Sequence, residues 1–161
     1  MSTSLGQEAR AGGGCACPEG AFLKALLTHT ILQRDELVLV DLAAGVEFLG
    51  RASVQGIDAF VVVVEPGSRS IETAGNIAGM ARELGIGVVG AVANKVIEPA
   101  QLEVIRAQLK GVDLLGSVAY SKSIQEADLK RAPVVQADAA VVRALDEARR
   151  RLVGLTMRVK I

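Results

Sequence analysis

Aromatic residues are nearly missing from this 161-residue chain, which has one Tyr, three Phe and no Trp. So little ring surface offers no series of stacking platforms for bases. Lys+Arg and Asp+Glu both number 18, so no basic field exists to draw in a phosphate backbone. Nucleic acid is therefore not an expected partner. Half of the residues are apolar, yet no uninterrupted apolar run approaches the roughly 20 residues that cross a bilayer, and no membrane association is expected. The start of the chain lacks a charged-then-apolar leader pattern, and two cysteines one residue apart cannot staple distant segments, so the expected compartment is the cytoplasm. The single histidine, His29, has no Ser or Cys partner placed for it by the sequence and is assigned no role. No Gly-Lys-Ser/Thr phosphate-binding loop occurs anywhere.

What is present is a strand and helix alternation. The runs Leu37–Val40, Ala59–Val64, Ile86–Ala93 and Leu114–Ala119 are continuous, apolar and rich in β-branched residues, as expected of parallel strands covered on both faces. Helical spacing recurs between them. It runs over Phe22, Leu23, Leu26, Leu27 and Ile31, then over Ser68–Leu84 and Pro99–Leu109. Pro99 suits a first helical position, and Gly85 and Gly111 suit the left-handed position beyond a helix end. A last helix is expected over Val135–Leu152, with Ala139, Val142, Leu145 and Leu152 inward, and the alternating tail Leu155, Met157, Val159, Ile161 reads as an edge strand. This order specifies an α/β fold with a doubly wound, mostly parallel sheet. Residues 1–14, small, polar and glycine-rich, read as a flexible arm, and 15–161 as one domain.

In such sheets ligands bind beyond the carboxyl ends of the strands, so polar residues that end apolar runs are the first candidates. Asp41, followed by a turn at Gly45, could hold a magnesium-bound water, with the Gly45 N–H near a phosphate oxygen; taken alone, these residues more often make an aspartate that opens a turn and a glycine of positive φ. Asn94, with Lys95 behind it, carries a carboxamide able to donate to and accept from an adenine edge, or else closes its strand as a turn residue. Tyr120, followed by Ser121, ends the fourth run. Gly85-Ile-Gly87-Val-Val-Gly90 matches a dinucleotide fingerprint in letters only, because it leads from helix to strand, the reverse of the context that cradles a pyrophosphate.

Both cysteines fall in Cys15-Ala-Cys17-Pro18-Glu19. A disulfide across one residue is severely strained. Cys17 before Pro18 stands at the start of a helix, whose positive end favours thiolate. Two thiolates are half of a tetrahedral site, and a twofold axis beside them would supply four sulfurs from two chains. The other reading is two small residues in a tight glycine turn.

Cys15-Ala-Cys17-Pro-Glu19, Asp41-Leu-Ala-Ala-Gly45-Val-Glu47-Phe-Leu-Gly50-Arg51, Val61-Val-Val-Val-Glu65-Pro-Gly67 and Asn94-Lys95 together resemble the nickel-insertion accessory ATPases of carbon monoxide dehydrogenase, the CooC-type branch of the MinD-like P-loop ATPases. The resemblance runs in unbroken order from about Gly13 to Arg131. It implies an ATP-driven homodimer acting on carbon monoxide dehydrogenase, with a divalent metal, nickel or zinc, held by Cys15 and Cys17 of both chains. It also implies ATP or ADP with magnesium near Asp41, a γ-phosphate-sensing loop at Gly45, and adenine at Asn94–Lys95 and the segment around Tyr120. The family's N-terminal strand, its lysine-bearing P-loop and its switch-one aspartate have no counterpart in this chain. Ala119 stands where the family has proline. The expectation is the C-terminal two-thirds of such a protein, with an apolar gap where the P-loop strand belongs and no hydrolysis alone. Two alternatives remain: a non-enzymatic metal-binding dimerisation module using Cys15 and Cys17, and a fragment of a MinD- or ParA-like positioning ATPase with a membrane-binding C-terminal helix. The latter is disfavoured because the segment after Asp146 has Arg149–Arg151 but no bulky aromatic anchor.

Overall fold

Parallel β-strands need crossover connections, and the spacing of apolar runs in this chain leaves room for a helix between each pair. A computed structural model describes residues 37–41 and 57–159. The chain divides into two compact units, Met1–Ile57 with Glu83–Gly85, and Asp58–Arg82 with Ile86–Ile161. In the first unit, residues 37–41 carry no regular secondary structure, and Leu37, Val38 and Leu39 are exposed. The strand expected over Leu37–Val40 is therefore not formed. A buried parallel strand is held by ladders along its edges, and no described ladder includes this run.

The second unit holds a sheet of three parallel strands in the order β1-β2-β3: β1 Ala59–Val64, β2 Val88–Val96 and β3 Asp113–Ala119. Helix α1 (Ser68–Glu83) joins the first two strands and α2 (Pro99–Gln108) the second and third. After β3 come α3 (Lys122–Leu129), a 3-10 turn at Val134–Gln136 and α4 (Ala139–Val159). On one face Ile71 and Ala74 of α1 and Ile105 of α2, with Leu109 beyond it, pack on Val64, Ala91 and Ala93. On the other, α4 packs on Val92, Leu115 and Val118 through Val141, Ala144, Ala148, Leu152 and Leu155. The α/β class with helices on both faces of a parallel sheet is thus as expected. So are the first-position role of Pro99 and the positive φ of Gly85 and Gly111, +83° and +70°.

Three expectations give way. The tail is helix to Val159, because Leu155 continues at helical spacing the stripe that seats α4 on β3, and a strand there would lift it off. The inward face of α4 is turned from the one expected: Val142 and Leu145 are 38% and 48% exposed, Ala139 is exposed, and the small Ala144 and Ala148 face the sheet. They do so because Gly116 in β3 admits close approach, a Cβ there lying 3.5 Å from the Ala148 Cβ. Finally, only β2 is covered on both faces over Val88–Ala93; in β1, Val61 and Val63 are 37% and 60% exposed.

The β2–β3 ladder is irregular in two places. Val92 pairs with Gly116 rather than Leu115, and Val96 pairs with Ala119 after Ala93 pairs with Ser117. The first irregularity leaves Leu115 as an extra residue of β3. It is 2% exposed, and its Cδ1 would lie 2.5 Å from a Cβ at Gly90, so it uses the room the glycine leaves. The second inserts an extra residue into β2 at Asn94–Lys95 and restores the register.

Candidate functional site: the carboxyl edge of the sheet

The parallel strands of the second unit end together, at Glu65 beyond β1, Asn94–Lys95 within the last turnings of β2, and Tyr120–Ser121 beyond β3. Asn94 and Lys95 do not follow their strand, as the apolar pattern suggested; they form its bulge, and β2 resumes at Val96, whose carbonyl accepts from the Tyr120 N–H at 3.0 Å. A bulge re-aims side chains that strict alternation would send to opposite faces.

Lys95 adopts φ +55°, left-handed for a residue with a Cβ. Such a conformation costs roughly 1–2 kcal/mol. Its Nζ meets Glu65 Oε1 at 2.6 Å, but both side chains are about half exposed, and an exposed ion pair returns only about 0–1 kcal/mol. The pair does not offset the strain, so the shape of this bulge is not explained by stability, and strain of this kind clusters at ligand sites. Glu65 is itself pinned. Its N–H donates to Ser70 Oγ at 3.0 Å, its carbonyl accepts from the Gly67 N–H at 2.7 Å, and the Gly67 carbonyl then accepts from Ile71 as α1 begins.

Beyond β3, Tyr120 is half exposed and its hydroxyl donates to Gln125 Oε1 at 2.7 Å. Ser121 caps α3, its Oγ accepting weakly from the Ile124 N–H at 3.4 Å. The same hydroxyl donates to Asp138 Oδ2 at 2.7 Å. Asp138 Oδ1 in turn accepts from the N–H groups of Ala140 and Val141 at the start of α4. These bonds, the Ser121 hydroxyl first, hold the Asp138 carboxyl below the usual carboxylate range.

Among the expected site residues, Asn94, Lys95 and Tyr120 come together on one edge of adjacent strands. Asp41 is exposed in an irregular segment, and Leu37–Val40 before it form no strand for it to end. Gly45, Cys15 and Cys17 lie outside the described residues. Sequence reasoning missed Glu65 as the partner of Lys95, and Asp138. The second was within reach: an aspartate ahead of Ala-Ala-Val-Val is an N-cap signal, obscured by starting the last helix at Val135. Among the described residues no group of three metal-binding side chains occurs, and no helix is long and apolar enough to cross a membrane.

A parallel sheet with helices on both faces and polar residues gathered at its carboxyl edge defines an α/β class, which the similarity to known ATP-binding proteins narrows to a P-loop NTPase-like fold. Within that class, the chain is 44% identical over 124 residues, 77% of its length, to the carbon monoxide dehydrogenase accessory protein CooC of Rhodospirillum rubrum, of which the match covers 47%. Two uncharacterized ATP-binding proteins of Methanocaldococcus jannaschii are each 35% identical, over 81% and 76% of the chain and 51% and 49% of their own lengths. The expected resemblance to the CooC-type ATPases therefore holds over most of the chain. The chain spans about half the length of these relatives. No family model matches it.

Proposed function

We propose that this chain supplies the base-side part of an ATP site in a CooC-type maturation ATPase of carbon monoxide dehydrogenase, working as a homodimer that carries nickel or zinc on a shared four-cysteine site. The observation that carries the nucleotide reading is the strained Asn94–Lys95 bulge set beside Tyr120 at the carboxyl edge, in a chain so similar to CooC. The Asn94 carboxamide can donate to and accept from an adenine edge in one plane. Lys95 supplies a cation at the same edge, and the Tyr120 segment forms a wall for the base. Asp41 would stand near magnesium and Gly45 in the loop that responds to the γ-phosphate; both roles come from the similarity alone. The chain's own residues hold and orient a nucleotide on its base side. Charge on the phosphates calls for a lysine-bearing loop that this sequence lacks, so the isolated chain binds without turning over.

Equilibrium dialysis of ADP against the 161-residue chain tests the first half. Asn94→Ala should weaken binding about tenfold, the value of one well-made hydrogen bond pair, while unchanged affinity removes adenine from this edge. Titration with nickel and with zinc tests the second half. One ion per two chains is expected, lost in the Cys15→Ser, Cys17→Ser double variant; the same stoichiometry in that variant dismisses the metal role of both cysteines.

A further inference from the structure

Nineteen residues, 120–138, run from the end of β3 to the start of α4, and their two short elements bury no residue: neither α3 nor the Val134–Gln136 turn contributes to the core. A segment with no fully buried residue, whose Ile124 and Ala127 are only half-buried, belongs to the easily opened part of a structure unless polar bonds hold it. One such bond spans the whole excursion, Ser121 Oγ to Asp138 Oδ2 at 2.7 Å. A hydroxyl has one proton. Ser121 gives it to the carboxylate, leaving its lone pairs for the Ile124 N–H and the Ser123 hydroxyl, 2.9 Å away. The other Asp138 oxygen is committed to the first turn of α4, which is seated on the sheet through Val141, Ala144 and Ala148.

We propose that Asp138 is the positioning residue of the base-side turn: its carboxylate fastens Tyr120–Ser121 to the sheet-bound helix α4 and so keeps the turn in the shape a nucleotide base meets. The role at a base rests on the nucleotide reading above, whereas the fastening rests on the geometry alone. Hydrogen bonds to an ionised acceptor are shorter and roughly twice as strong as neutral ones, and this one is made to the anion. Asp138 touches no base. It acts through Ser121, one residue from Tyr120.

Hydrogen exchange read by mass spectrometry on the whole 161-residue chain, without nucleotide, tests the fastening. Asp138→Ala and Ser121→Ala should speed exchange over residues 120–130 about tenfold, with Val88–Ala93 unchanged. Asp138→Asn, which keeps the helix cap and can donate to Ser121 Oγ through a neutral bond, should fall between wild type and Asp138→Ala. Unchanged exchange over 120–130 in Ser121→Ala overturns the proposal. That variant leaves the Asp138 cap on α4 in place but also removes the Ser121 cap on α3. Faster exchange therefore supports the fastening only where Asp138→Ala speeds 120–130 as well, and wild-type exchange over 120–130 in Asp138→Ala overturns it. ADP binding by saturation-transfer NMR tests the consequence: affinity should fall about three- to tenfold in Asp138→Ala and Ser121→Ala and recover in part in Asp138→Asn. A loosened turn with wild-type ADP affinity leaves Asp138 a structural cap and overturns the positioning role. Failure of the wild-type chain to bind ADP overturns the nucleotide reading itself, a result visible before any variant is made.

Discussion

Among the described residues, two with side chains sit in the left-handed region, Lys95 and Arg131, for different reasons. Arg131 occupies the place past the end of α3 that glycine usually takes. Its N–H donates to the Asp128 carbonyl and the Ala132 N–H reaches back to Ala127, the paired bonds of a Schellman ending. Nothing in the structure asks for an arginine there. Arg131→Gly should therefore stabilise the fold by about 1 kcal/mol, a rise in melting temperature of about 2–4 °C for a chain of this size. Lys95→Gly should give a similar rise by the same relief of strain while weakening ADP binding, because it removes the cation at the edge. If calorimetry shows Lys95→Gly to be destabilising, the ion pair to Glu65 outweighs the strain and the bulge is a stability device after all. Gly111 shows the reverse case: at φ +70° a Cβ would run into the Arg82 guanidinium, which donates to the Gly111 carbonyl at 2.8 Å.

Elements of this fold meet where one gives up bulk to the other. β2 lacks a side chain at Gly90 and Leu115 takes the room; β3 lacks one at Gly116 and α4 comes close through Ala144 and Ala148. Gly90→Ala should cost about 1–3 kcal/mol by overpacking. The double variant with Leu115→Val should recover part of that loss, a coupling between sites in contact. Additive losses in denaturant titration would mean that Leu115 moves aside without cost. The glycines of β2 and β3 could be read as strand weakeners from the sequence, but which neighbour fills each gap depends on register. Register here includes two irregularities that no apolar pattern announces. For the same reason the run of valines in β1 was legible as a strand, while the exposure of Val61 and Val63 was not.

At the scale of the whole chain, the two carboxylates with clearly displaced titration among the described residues lie on one helix end and one helix face. Asp138 is held low by the Ser121 hydroxyl and then by the N–H groups of Ala140 and Val141. Asp146 is held low chiefly by its hydrogen bond to Arg149, with Arg150 adding to it. A carboxyl whose folded value lies below its unfolded one contributes stability above the unfolded value, near 4, and loses it as pH falls through the folded one. Melting temperature should accordingly decline as pH drops below about 4, and less steeply in Asp138→Asn, which has no proton to take up there. Equal slopes in the two proteins would show that acid unfolding is governed elsewhere. The strand and helix alternation, the helix ends at Pro99, Gly85 and Gly111, and the candidates Asn94, Lys95 and Tyr120 were determined by local pattern, because apolar period and turn chemistry act over a few residues. Tertiary structure alone decided that Leu37–Val40 takes no regular secondary structure, which face of α4 is buried, that Lys95 is bent into a bulge against Glu65, and that Asp138 meets Ser121. Each of these depends on which segments pair across the chain, and a hydrogen bond between residues 17 apart leaves no trace in the spacing of either.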